Sequence, residues 1–407
     1  MKTKEVLSPG APPPADVIPL IVPELRGNEW QYMKDCLDTN WVSSVGSYVD
    51  RFEQMVAAYV GVKHAVATVN GTAALHIALL LAGVESDDEV VVSTLTFIAP
   101  ANAVRYAGAW PVFIDAESRS FQIDPAALAD FLENGCIWDG RILRNRRSGR
   151  RVRAVLPVHI LGHPADLDPI LAVAEKYSLP VIEDATEGLG ARYRGKALGS
   201  FGRAACFSFN GNKIITTGGG GMLVTDDAAW AARARYLTTQ AKDNPIEYVH
   251  NAVGFNYRLT NVLAAMGCAQ MEKLDEFVTM KRRIAARYQA AFASLPGITT
   301  PSEAEWAFST YWMFTALVDE ERAGISSREL LRELGSRKIQ ARPLWQPMHC
   351  SPAHDAKASP ASPQAEKLHR QAISLPCSVG LTTAAQDYVI ETVTAILSQR
   401  KLLAGVR

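Results

Sequence analysis

The stretch "FSFNGNKIITTGGGGML", Phe207 to Leu223, sets one lysine, Lys213, between a short aromatic run and four consecutive glycines. Three roles compete for that cation: a phosphate ligand, an ordinary surface charge, or a reactive amine. A phosphate-binding loop places its glycines first, then Lys-Ser/Thr, then a helix. Here the lysine comes first, and "GMLVTDD" after the glycines reads as a strand with a turn. The other two roles stay open on this stretch alone, because most lysines are solvated.

The chain around it alternates short apolar runs with helical patterns. "HAVATV" (64–69) reads as a strand, and "NGTAALHIALLLAGV" turns at Asn70-Gly71 and enters a helix. "DEVVVS", "WPVFID", "RAVLPVHI", "LPVIED", "AACFSF" and "GMLVTD" read as further strands. Between them, "APANAVRYAG" and "DLDPILAVAEKYS" read as helices, the second with Asp166 as its N-cap. Such uniformly apolar strands predict an α/β fold, a mainly parallel sheet sandwiched by helices. After Tyr257 the pattern changes to a long helical stretch, one clear strand "TYWMFTALVD", a capped helix from Ser326 or Ser327, a Pro/Ala/Ser loop (351–367) and a final helix. The expected organisation is a Pro-rich leader (1–17), a large α/β domain (18–258), and a linking helix with a smaller α+β domain (259–407).

Bulk properties narrow the function. The 407 residues carry 42 Lys+Arg and 42 Asp+Glu, a formal net charge of zero. That argues against a nucleic-acid binder driven by phosphate neutralisation. No apolar run approaches the length of a membrane span and no signal-peptide pattern opens the chain, so a cytoplasmic protein is expected. The six cysteines lack C-x-x-C spacing and are expected to be reduced.

Three chemical features fall where predicted strands end, the edge at which parallel sheets bind ligands. At "NGTAAL", Gly71, Thr72 and Ala73 open a helix whose free N–H groups suit a phosphate, or which simply caps itself. At "VIEDATEGLGA", Glu183 and Asp184 end an apolar strand, and a buried carboxylate needs a partner. That partner could be an arginine, a metal or a protonated ring nitrogen; no ligand spacing surrounds it, and no metal is expected. In the opening stretch, Ser208 ends a strand and Lys213 lies five residues on. A partly desolvated lysine there is a usable nucleophile. One ligand would satisfy all three: a phosphate on Thr72, Ala73 and Ser208, a ring nitrogen on Asp184, an aldehyde on Lys213. Pyridoxal 5′-phosphate has these parts, and Phe97 in "STLTFIAPANA" could stack on its ring.

The quoted segments, with "WVSSVGSYVDRFE", "PVHILGHPADLDPI", "VIEDATEGLGARYRGKALGSFG" and "GFNYRLTNVLAA", resemble the pyridoxal phosphate-dependent nucleotide-sugar aminotransferases, the DegT/DnrJ/StrS family of fold type I. The resemblance runs from about Ile18 to Leu397 and looks nearest to the LegC-type branch. It implies that Lys213 forms the Schiff base and Asp184 holds the pyridinium N–H. It further implies that Ser208, Thr72 and Ala73 bind the phosphate, Phe97 stacks on the ring, and Asn256 reaches the cofactor phosphate of a neighbouring subunit in a homodimer. Glu187 stands where the family commonly has Gln or His near the cofactor's phenolic oxygen. A carboxylate beside a phenolate is repulsive unless one is protonated.

The branch implies amino transfer from L-glutamate to C4 of UDP-4-keto-6-deoxy-N-acetylglucosamine, for bacterial surface-glycan biosynthesis. Two alternatives accompany it: a GDP-4-keto-6-deoxyhexose (perosamine-type) aminotransferase, and a pyridoxal phosphate-dependent sugar dehydratase. The dehydratases of this fold carry histidine in place of the lysine, and this chain has Lys213. A regulatory protein that merely keeps the fold would be expected to lack Lys213 or Asp184. Outside these motifs, His159 and His163 read as structural. "GRILRNRRSGRRVR" (140–153) reads as a solvated insertion or a nucleotide-phosphate contact, and "ARPLWQPMH" (341–349), with Arg342, as a strand edge or a sugar-nucleotide contact.

Overall fold

A computed structural model describes residues 17–244 and 246–404; all but the last residue of the expected leader lies outside this range. Seven strands line up at the centre: β1 (His64–Thr68), β2 (Glu89–Ser93), β3 (Trp110–Ile114), β4 (Val152–Leu156), β5 (Ile182–Asp184), β6 (Ala204–Ser208) and β7 (Gly221–Thr225). Parallel pairings join β3 to β2, β2 to β4, and β5 to β6. Parallel bridges Val155↔Val181 and Val158↔Asp184 connect β4 to β5. The resulting order is β3-β2-β4-β5-β6-β7-β1. Only β7 runs against the rest, lying antiparallel to both β6 and β1.

The strand sequences explain their place. All five residues of β2, "EVVVS", are buried, as expected of a strand covered on both faces. The helix Gly71–Leu81, "GTAALHIALLL", buries residues on every side, which marks a helix enclosed between the sheet and its neighbours. Gly221 in β7 permits a close crossing, since a Cβ there would sit 2.3 Å from the backbone of Asn70.

The smaller unit holds a four-stranded antiparallel sheet in the order Ile298–Thr299, Phe314–Val318, Ala372–Leu375, Arg342–Pro343. The helix Ser327–Ser336 begins with a capping box between Ser326 and Glu329. Phe207 and Leu223 of the large sheet and Phe314 and Ile373 of the smaller one belong to a single apolar core. The segment from Ile18, expected with the large domain, bonds instead to the smaller unit: Ile18 N–H donates to Lys338 O, and Cys377 N–H to Leu20 O.

Four expectations need correction. Asp166 does hold the N-cap position of the helix Leu167–Lys176 but makes no side-chain cap bond; its carboxylate accepts the Tyr193 hydroxyl at 2.7 Å. The long helical stretch is two helices, Asn261–Met271 and Leu274–Phe292. The helix Pro363–Gln371 takes over the end of the Pro/Ala/Ser loop, with proline at its first position. The basic stretch forms a hairpin (Cys136–Trp138 with Leu143–Asn145) and leads into β4 at the amino ends of β2 and β3. Arg151 there pairs with Asp88 and Glu85. A nucleotide contact from this stretch would lie at the wrong edge of the sheet.

Candidate active site

At the carboxyl ends of the strands lies a cavity of about 240 Å³. Its lining includes Gly71, Thr72, Phe97, Asp184, Glu187, Ser208 and Lys213, gathered from four strand ends. Two tryptophans from the smaller unit, Trp312 and Trp345, close it.

One end is the start of the helix Gly71–Leu81. The amides of Gly71 and Thr72 have no carbonyl partner within their own helix. Gly71 allows tight approach: a Cβ would meet Ser208 Cβ at 3.0 Å and Thr186 Cγ2 at 3.1 Å. The Ala73 amide, expected to reach a ligand, donates to the cap Asn70 Oδ1 at 2.8 Å, and Ala73 is not part of the lining.

Asp184 ends β5 and is buried, with Oδ1 accepting the Thr186 amide at 3.1 Å. Burial pushes its carboxyl up from the usual range, against the opposing pull of Thr186 and Lys213. Its neighbour Glu183 points elsewhere. Glu183 accepts His159 Nε2–H and the amides of Gly199, Phe201 and Gly202. Burial alone would raise the Glu183 carboxyl, but those bonds hold it below the usual range. His159 Nδ1 accepts the Ala165 amide, and His163 is bonded to Pro164 O and the Ala304 amide. Neither histidine lines the cavity.

Lys213 rides a tight loop. Its amide donates to Asn210 O, the Thr217 amide to Phe209 O, and the Trp312 indole to Asn212 O. The Nζ, with its side chain 14% exposed, lies 3.5 Å from Glu187 Oε1 and 4.3 Å from the centre of the Trp312 ring. Glu187 Oε2 accepts the amide of Leu161, a residue held at φ +61°. Strain of that kind gathers at functional sites. Burial pushes the Glu187 carboxyl up, while Lys213 and the Leu161 amide draw it down.

Phe97 is 54% exposed at the rim, edge-on to Trp345 at 6.5 Å. Asn256 does not line this cavity; it is exposed and bridges Thr239. Arg342 lies on the edge strand of the smaller sheet, outside the lining.

A buried carboxylate, a shielded amine beside it and a helix start at the far end form the donor set that pyridoxal 5′-phosphate requires. The fold and the cavity define a pyridoxal 5′-phosphate-dependent aminotransferase of fold type I. Residues 23–394 match the model of the DegT/DnrJ/EryC1/StrS aminotransferase family, and the chain belongs to that family. A GDP-perosamine synthase of Caulobacter vibrioides is 42% identical, covering 93% of this chain and 98% of the relative. The putative pyridoxal phosphate-dependent aminotransferase EpsN of Bacillus subtilis is 40% identical, covering 95% and 98%. The crystal structure of the aminotransferase TlmJ from Streptoalloteichus hindustanus superposes with a TM-score of 0.85 at 27% identity, covering 94% and 99%.

Of the two tryptophans, the sequence reading missed Trp312 as a site residue, while Trp345 falls in the stretch 341–349, which leaves a sugar-nucleotide contact open. Trp312 lies in "TYWMF", which reads as an ordinary buried strand, and Trp345 lies in a segment whose contacts depend on how the two units meet.

Proposed function

We propose that this enzyme transfers an amino group from L-glutamate to C4 of a GDP-linked 4-keto-6-deoxyhexose. The observation that carries the reading is the 42% identity to a GDP-perosamine synthase along 93% of the chain. The UDP-linked N-acetyl sugar expected from the sequence has less support.

The bound cofactor supplies an aldehyde that takes up amines and a ring that withdraws electrons from the carbon being deprotonated. The chain's residues do the rest. Asp184, buried and facing the cavity, holds the proton on the ring nitrogen by a charge-assisted hydrogen bond. The amides at Gly71 and Thr72, with the Thr72 and Ser208 hydroxyls, bind the phosphate; the Ala73 amide joins them only by leaving Asn70. Phe97 stacks on the ring from the rim. Lys213 Nζ takes and returns the proton at the reacting carbon, work worth ~10²–10⁴-fold. Glu187 sits beside that nitrogen and, as the carboxylate, balances its charge when Lys213 is protonated. Trp312 and Trp345 exclude water. Asn256 serves the site of a second subunit.

The test is a comparison of substrates. The protein, with pyridoxal 5′-phosphate and glutamate, is given GDP-linked and UDP-linked 4-keto-6-deoxy sugars. Release of 2-oxoglutarate and product mass are followed. Faster amination of the GDP-linked sugar is expected; the reverse ranking returns the enzyme to the UDP-linked branch.

A further inference from the structure

Outside the lining of the active-site cavity, His349, Cys350 and Glu366 bring one nitrogen, one sulfur and one carboxylate oxygen within 4.8 Å of one another. Among the described residues no other three such side chains gather this closely. His349 and Cys350 share the short turn Met348–Cys350, and Glu366 lies on the helix Pro363–Gln371. His349 Nε2 is already 3.4 Å from Glu366 Oε1. Its Nδ1 lies 2.6 Å from the Thr94 hydroxyl. With the proton on Nδ1 donated to Thr94, the Nε2 lone pair faces the carboxylate and the thiol. Such an orienting bond is the usual support of a metal-bound histidine. Arg370 holds the other carboxylate oxygen, Oε2, at 3.6 Å, leaving Oε1 turned to the histidine.

We propose that His349, Cys350 and Glu366 bind a zinc-like transition-metal ion that clamps the two ends of the segment between Cys350 and Glu366. Imidazole, thiolate and carboxylate together select zinc over magnesium or calcium, which favour all-oxygen sets. Ligand atoms around a tetrahedral zinc lie about 3.3–3.8 Å apart, so the set closes by about 1 Å, with water as the fourth ligand. Binding replaces the Cys350 S–H bond with a sulfur–metal bond, and the proton leaves to solvent. Thiolate and carboxylate then balance the two positive charges. The ion has a way in, since Cys350 is exposed while the other five cysteines are buried.

The clamped segment also meets the large sheet. Between its ends, Ser359 accepts the Phe113 amide through Oγ and Arg147 through its carbonyl, the Ala358 carbonyl accepts Asn145, and the Gln364 and Ala365 amides donate to Asp115. The same turn bonds the sheet at Met348, whose amide donates to Thr94 O, and lies three residues after the cavity residue Trp345. The sequence hides the set because Glu366 is sixteen positions from Cys350.

The experiment titrates zinc chloride into the holoenzyme by calorimetry, and into Cys350→Ser and Glu366→Gln variants. The Cys350 and Glu366 side chains are exposed, so neither change threatens folding. One site per chain is expected, with proton release that varies with buffer. Each variant should bind at least about tenfold more weakly, the scale on which even supporting contacts act. Cobalt in place of zinc should give a thiolate-to-metal charge-transfer band that Cys350→Ser abolishes. Equal zinc affinity in wild type and Cys350→Ser, or a cobalt spectrum without that band, overturns the proposal.

Discussion

Lys213 Nζ and Glu187 Oε1 lie 3.5 Å apart in a pocket where the carboxylate side chain is only 4% exposed. The pair sets the lysine proposed to move the proton beside an acid whose own proton is held more tightly than usual. That geometry makes Lys213 the nitrogen to test first. Borohydride reduction of the loaded enzyme should fix the cofactor's mass on the peptide bearing Lys213. Lys213→Ala should lower turnover by at least ~10²-fold. A mass found on any other lysine ends the assignment.

Glu187→Gln keeps an acceptor for the Leu161 amide and removes the titration. In the wild type, Glu187 gains its charge as the pH rises through its raised pKa. The pH dependence of turnover should therefore lose one limb in the variant, with less than about a tenfold change at its optimum. The pH–rate profile decides this, since an unchanged profile would mean that Glu187 keeps one protonation state throughout.

Asp184→Asn should separate stability from cofactor binding. In the cofactor-free protein, burial raises the Asp184 pKa above its unfolded value. The stability carried by its protonated form is full below the unfolded pKa and lost as the pH rises through the folded one. At neutral pH the neutral amide should thus raise the Tm of the cofactor-free protein. With cofactor, the lost charge-assisted bond should weaken retention by roughly tenfold or more, since such bonds are worth ~1.5–3 kcal/mol. Thermal melts at pH 5 and 8, with and without cofactor, read both effects. A lower Tm without cofactor at pH 8 would contradict the first.

Asn256 is exposed and away from its own chain's cavity. If it completes a partner's site across a two-fold interface, Lys213→Ala and Asn256→Ala should complement each other. A mixed dimer holds one site with both lesions and one with neither, so it should show about half the wild-type activity. The assay needs proof of subunit exchange; exchange without recovery would put Asn256 outside any shared site.

Residues at strand ends were legible in the sequence because one local fact places them: an apolar run stops and a polar group follows. That holds for Asp184, Ser208 and Thr72, and all three line the cavity. Roles that depend on competition between partners were not legible. Asp166 reads as a cap until Tyr193 claims its carboxylate, and Ala73 offers an amide until Asn70 takes it. Trp312 was hidden for a third reason, and Trp345 was only an open alternative, since the smaller unit's position over the sheet is a long-range outcome. A mainly parallel, mixed sheet was expected, but which strand runs antiparallel was hidden, because direction leaves no mark on an apolar run such as "GMLVT".

That strand has a consequence during synthesis. At the β1 edge of the sheet, β1 pairs only with β7, and their partners His64 and Thr225 are 161 positions apart. At about 5–20 residues per second, β1 waits roughly 8–32 s after emerging before its partner exists. The turn that follows β1 and presents Gly71 and Thr72 waits with it, as does Lys213, whose loop is closed by the Phe209–Gly220 and Thr217–Phe209 bonds. A nascent chain halted before Gly221 would therefore hold most of the strands and yet no binding site, with an apolar edge strand left open to the ribosome's surroundings.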